Sequence, residues 1–261
     1  MLKSLRHHWP EYLMEAAGLG SFMLSACIFA VILEYPGSAL RQAISDPTIR
    51  RVLMGVAMGL TAVGIIYSPW GQQSGAHLNP SVTLTFLRLG KVAPWDAAFY
   101  VMAQFLGGLA GVWLAVMVLG HPITQPPIEY VATVPGPDGP SIAFLAEFVI
   151  SCILMAVVLL ASNSGGLARF TGLFAGILVA LYIALEAPLS GMSMNPARTV
   201  ASALPANLWT GLWIYFTAPP VGMLLAAEAY LRLRGAGRVS CAKLHHDNGK
   251  RCIFHCGYRK G

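Results

Sequence analysis

Two asparagines stand in the same short phrase of this chain. Ser74-Gly75-Ala76-His77-Leu78-Asn79-Pro80-Ser81 is echoed by Ser190-Gly191-Met192-Ser193-Met194-Asn195-Pro196-Ala197, with Arg198 immediately after. Asn is a favoured N-cap and Pro a favoured first helical residue, so each phrase reads as a loop that starts a short helix. The Asn oxygen then accepts a backbone N–H of its own helix, and the NH2 group is left as a donor. Both phrases lie between long apolar segments. Helix starts of this kind place polar groups at mid-bilayer depth, which points to a channel or a transporter. Where two such helices meet with their positive ends together, a water turns its oxygen to both amides and donates only outward. That interrupts a proton wire and repels cations. Two ordinary capped helices in a soluble loop are the plain alternative, and the apolar neighbourhoods weigh against it.

Other polar residues fit the same setting. Arg198 lies about one turn beyond Asn195 and is costly in so apolar a stretch unless it faces water; a snorkelling interfacial Arg is the alternative. Glu15 and Glu147 are carboxylates within apolar segments. They are either a proton relay or, as the stronger reading, acceptors for backbone N–H groups of the two loops. Glu186 and Glu228 sit near segment ends and are given no special role. Cys27 and Cys152 read as packing residues. His77 either lines a mouth or braces its loop. The C-terminal stretch carries Cys-x3-His-His-x5-Cys-x2-His-Cys, with Cys241, His245, Cys252 and Cys256 as candidate ligands for a tetrahedral Zn2+. The spacing is not that of a standard finger, so a flexible basic tail with incidental cysteines stands beside this reading.

The elements that must hold these residues are membrane spans. Of the 261 residues, 56% are hydrophobic and 11% charged; mean hydropathy is +0.63. A soluble domain is about 25% charged. Six stretches are long and apolar enough to cross: near Tyr12–Leu33, Val52–Tyr67, Ala97–Leu119, Ile142–Ala161, Phe170–Ala187 and Leu208–Leu231. The apolar run after Lys3 and Arg6 is too long for a signal peptide, so a first spanning helix is expected. With the N-terminus inside, 13 of the 17 Lys and Arg fall on the inner side, eight of them in the tail from Arg232 to Lys260. This predicts both termini in the cytoplasm, with the net charge of +6 meeting anionic lipid rather than nucleic acid. The plasma (inner) membrane is the expected location. Gly120–Ser141 holds six prolines and no Lys or Arg, and reads as an extracytoplasmic connection. The chain divides into a cytoplasmic N-terminus (1–10), a first repeat (11–119), the connection (120–141), a second repeat (142–232) and a Cys/His-rich tail (233–261). Three spans per half make the repeat inverted, so the two loops re-enter from opposite faces.

The paired Asn-Pro loops, Ala103-Gln104-Phe105-Leu106-Gly107 in the third span and Trp213-Ile214-Tyr215-Phe216 before Pro219 resemble the aquaporin (major intrinsic protein) family over about Glu11 to Leu231. The resemblance implies an all-α membrane protein of six transmembrane helices plus two re-entrant half-helices. It implies a passive channel for water, extending to small uncharged solutes such as glycerol, with one pore per subunit of a homotetramer. It implies no enzyme activity and no cofactor within the spans. Asn-Pro-Ser at the first loop departs from the family's Asn-Pro-Ala. By the same resemblance the pore filter falls on Met58 or Gly59, Ile183, Met192 and Arg198, with Asn79, Asn195 and His77 deeper along the path. Water-selective members resemble His at the position of Ile183, and this chain's apolar wall suggests a wider filter. Thr199 and Ala203, where glycerol facilitators tend to carry Asp and a basic residue, point back to water. A glycerol facilitator with water secondary is the alternative, and a secondary transporter a weaker one.

Overall fold

The computed structural model describes residues 1–246 and 248–258; Arg259 and Lys260, counted above with the basic tail, lie outside them. Among the described residues there is no strand. The first half comprises α1 (Leu2–Glu34), α2 (Ala39–Ala43), α3 (Pro47–Tyr67), α4 (Pro69–Ser74), α5 (Pro80–Arg88) and α6 (Pro94–Leu119). The second comprises α7 (Pro140–Ser162), α8 (Thr171–Leu185), α9 (Ala187–Ser190), α10 (Pro196–Ala206) and α11 (Leu212–Arg234). Among the described residues six helices are long and apolar enough to cross a membrane. With an even number of crossings the start of α1 and the end of α11 lie on one face, the tail face.

Prolines mark the starts. α3, α4, α5, α6, α7 and α10 each carry Pro in their first turn, where the missing N–H costs nothing. Asp46 caps α3 by accepting from the N–H groups of Thr48 (2.7 Å) and Ile49 (3.3 Å). The expected spans hold, with corrections at their ends. α1 starts at Leu2 rather than near Tyr12, so residues 2–10 are its first turns; Pro10 is accommodated inside it. The last span starts at Leu212, after a turn through Gly211, whose φ of +68° favours glycine.

Glycines set the helix crossings. A Cβ on Gly107 of α6 would collide with the Ala16 carbonyl oxygen of α1, and one on Gly222 of α11 with that of Phe148 on α7. Small residues therefore let backbones meet within each half, as membrane packing favours. Between the halves α3 lies against α8, and Gly59 of α3 faces the carbonyl of Gly176, which a Cβ would approach to 2.6 Å.

Candidate functional site

The two loops are held by matching bonds. Glu15 accepts from the Ser74 hydroxyl (2.9 Å) and from the backbone N–H groups of His77 (3.0 Å) and Leu78 (2.7 Å), and also from Gln104 (3.0 Å). Glu147 accepts from the Ser190 hydroxyl (2.8 Å) and the N–H groups of Ser193 (2.6 Å) and Met194 (2.7 Å). Tyr100 donates to the Ser74 carbonyl and Tyr215 to that of Ser190, each at 2.6 Å. Both carboxylates are fully buried. The loops need them because their chains run through paired left-handed residues. Ala76 and Leu78 both have φ of +53°, and Met192 and Met194 have +52° and +54°, which turns consecutive N–H groups out of any helix ladder.

Asn79 and Asn195 each cap their helix. The Asn79 oxygen accepts from Ser81 N–H (2.8 Å), and that of Asn195 from Ala197 (3.0 Å) and Arg198 (3.2 Å). The NH2 groups are not wholly free, which corrects the sequence reading. Asn79 Nδ2 donates to the Met194 carbonyl (2.6 Å), and Asn195 Nδ2 to that of Leu78 (2.7 Å). Each amide thus spends one N–H on the opposite loop and keeps one. These crossed bonds bring the starts of α5 and α10 together.

One cavity of about 450 Å³ passes this meeting point. Its polar lining includes His77, Asn79, Ser193, Asn195 and Arg198. Met58, Ile183 and Met192 line it as well. Gly59 does not; its Cα is turned to Gly176, so of the two second-span candidates it is Met58 that faces the cavity. Arg198 Nη1 is buried and has no hydrogen-bond partner among the described residues. The rest of the wall is mainly apolar, including Leu19, Phe22 and Met54. Arg198 and the two amides therefore offer directed donors inside a greasy tube.

A major intrinsic protein family model matches residues 5–230. The chain belongs to the major intrinsic protein family. It is 36% identical to aquaporin NIP2-2 of Zea mays over 83% of this chain and 72% of that one. It is 37% identical to aquaporin NIP2-1 of Zea mays over 89% and 75%. It is 32% identical to the probable aquaporin NIP7-1 of Arabidopsis thaliana over 85% and 76%. The fold resembles an aquaglyceroporin from Plasmodium falciparum, with a TM-score of 0.68 and 21% identity over 85% of this chain and 95% of that one. The protein is thus an integral membrane channel of the aquaporin class, not an enzyme.

Within this major intrinsic protein, two features escaped the sequence. Glu186 is buried, with 7% of its surface exposed, and accepts from the Ser190 hydroxyl beside Glu147. The sequence suggested no special role for it; the structure puts it in the bonding around the second loop. Burial, then the neighbouring Glu147, pushes its carboxyl up to about 7. Its place one residue past the end of α8 gave no hint, because the contact depends on the turn into α9.

The second is the tail, which folds back on the tail face rather than hanging free. His77 Nε2 bonds the Ala242 carbonyl (2.8 Å), and its ring stacks between Phe86 and Phe254, both at 5.3 Å. His77 therefore braces its loop while also touching the cavity. The tail's ligand set needs one correction. Cys241, His246, Cys252 and Cys256 gather with their ligand atoms all within 4.8 Å of one another. His245 is instead turned edge-on to Tyr67 at 4.9 Å between ring centroids. Neighbouring histidines in irregular chain point apart, and the sequence alone did not say which one meets the thiols.

Proposed function

We propose that this chain is a passive pore for water and, more slowly, for small uncharged solutes carrying hydroxyls on one edge, and that it excludes protons and ions. One observation carries the reading: Arg198 presents an unpartnered donor to a cavity whose facing walls at Ile183, Met58 and Met192 are apolar. A solute such as glycerol pairs with the donor and lays its carbons on the greasy side. The two half-committed asparagines orient each passing water, so a proton has no continuous wire to follow. The relatives named above, aquaporins and an aquaglyceroporin, support the same solute class.

Glu15 and Glu147 act as loop scaffolds. The family supports a homotetramer in the bilayer. The sorting of Lys and Arg supports both termini in the cytoplasm, at a plasma (inner) membrane. The Cys/His cluster of the tail binds a zinc-class cation, supported by its ligand types.

Stopped-flow light scattering on reconstituted protein, comparing water with glycerol and urea, tests the main claim. With any bound cation first removed by a chelator, the unmodified chain passes water quickly and at least one of the solutes measurably. Ile183→His narrows the site and cuts that solute's flux more than water's. A protein that passes water alone sinks the wide-filter reading.

A further inference from the structure

Nothing in the pore chemistry uses the tail, yet the tail reaches the pore. Leu244 lines the same cavity as the two asparagines, at the end where Ile66, Ala76 and Val158 also face it. Its backbone N–H donates to the Gly75 carbonyl (3.1 Å), and the preceding Ala242 carbonyl accepts from His77. Leu244 is buried, at 6% exposure. An apolar ring at a pore mouth excludes water by dewetting.

What holds Leu244 there is slight in regular structure. Among the described residues beyond α11, the one helical element is the turn Ala236–Arg238. The segment nevertheless buries Val239, Cys241, Ala242, Lys243, Leu244 and Phe254. Lys243 is covered entirely, its ammonium donating to the Arg251 (2.7 Å) and Lys250 (3.3 Å) carbonyls. Irregular chain of this length needs a cross-link to stay ordered, as small domains without a core do.

The Cys/His cluster is placed to supply it. Cys241 Sγ and Cys252 Sγ are 3.5 Å apart, and Cys256 Sγ is 3.0 Å from His246 Nε2. A disulfide would need about 2.05 Å. Four ligands on a tetrahedral ion with Zn–S of about 2.3 Å stand about 3.8 Å apart, close to this arrangement. Three thiolates and an imidazole select a borderline-soft cation over Mg2+ or Ca2+. Leu244 lies in the short loop between the first two ligands, Cys241 and His246, so an ion there closes a loop whose apex is the residue in the mouth.

We propose that a divalent cation of the zinc class, bound by Cys241, His246, Cys252 and Cys256, holds Leu244 in the tail-face mouth of the pore, so that the ion closes the channel and its removal opens it. The proposal rests on the zinc-site reading above and adds the gate. Other contacts guide the tail back to the same seat when the ion returns: Arg251 donates to the His7 carbonyl (2.7 Å), His255 bonds that of Gly90 (2.8 Å), and Ser240 N–H donates to Asn163 (2.7 Å).

The test uses the full chain in proteoliposomes. Bound zinc is measured by elemental analysis. Water flux is measured as isolated, after a membrane-permeant chelator, and after zinc chloride is restored. The expected result is one zinc per chain, a several-fold rise in flux on chelation, and its reversal by zinc. Leu244→Ala should keep its zinc yet conduct at the fast rate without chelator. Zinc bound stoichiometrically with flux unchanged or reduced on chelation overturns the gate and leaves the site. No zinc bound, and none taken up, overturns both. The chelation arm needs no variant, so a misfolded mutant does not decide the matter.

Discussion

Glu15 and Glu147 each accept from a serine hydroxyl and two consecutive backbone N–H groups, and a tyrosine then anchors each serine's carbonyl. What lies behind the two loops differs. The first has His77 two residues before its asparagine, sandwiched by aromatics and bonded to the tail. The second has Ser193 there, whose hydroxyl meets Thr199 (2.5 Å), and Thr199 meets Thr133 of the connection (3.1 Å). The connection also reaches the second loop through Gly136 N–H, which donates to the Leu189 carbonyl (2.9 Å), much as Leu244 N–H reaches Gly75. The tail is thus to the first loop what the connection is to the second. Three residues after each asparagine the halves part again, with Val82 in one and Arg198 in the other. The shared bonds shape the backbone; the unshared residues decide what each mouth does.

The largest effect should come from breaking the shared part. Glu15→Ala and Glu147→Ala each strand two buried backbone donors, and Glu15→Ala the Ser74 hydroxyl as well, at about 1–3 kcal/mol per unsatisfied group. Both should unfold at markedly lower temperature in detergent and yield little intact protein. If one of the two is tolerated, the loops are not equivalently built. A pH-driven uptake lost in Glu15→Gln or Glu147→Gln with folding intact would revive the relay.

The next contrast is between the third positions. Arg198→Ala should raise proton or small-cation leakage while solute flux persists, because a fixed positive charge and a donor leave the path. Val82→Ala, at the matching place in the first half, should leave exclusion unchanged. A pH-sensitive dye inside proteoliposomes measures both. Equal behaviour of the two variants would show that the charge asymmetry is not what excludes ions.

The smallest effect concerns Glu186, which has no bonding counterpart on the first loop. Folded, it keeps its proton up to about pH 7, while the unfolded chain releases it near the ordinary carboxylate value of about 4.3. Its contribution to stability is therefore full below that value and is lost as pH rises through about 7, by an amount of the order of 1–3 kcal/mol. Thermal unfolding from pH 4 to 8 should show this slope in the unmodified chain and a flatter one in Glu186→Gln. An identical slope in both would assign the titration elsewhere.

The spans and the repeat were legible because they are written in composition and in two copies of one phrase. Glu15 and Glu147 were legible as loop acceptors because a carboxylate in an apolar helix has few other stable uses. Helical phase was not: the resemblance left Met58 and Gly59 open, and the packing of Gly59 on Gly176 separates them. The start of α1 was hidden by polar residues such as His8 and Glu11, which face protein rather than lipid. Tyr12 donates to Asp96 (2.6 Å), and Glu11 accepts from Gln73 (3.0 Å). The tail was legible as a set of candidate ligands but not as a neighbour of the cavity, since long-range contacts such as His77 to Ala242 place it there.

The crossed amide bonds make damage travel. Asn79 leans on a carbonyl of the second half and Asn195 on one of the first, so a fault at either asparagine surfaces in the partner loop, more than a hundred positions away along the chain. Neither half can be repaired, swapped or inherited piecemeal: a change that suits one must be matched by the other. The midpoint of the pore behaves as a single joint with two owners.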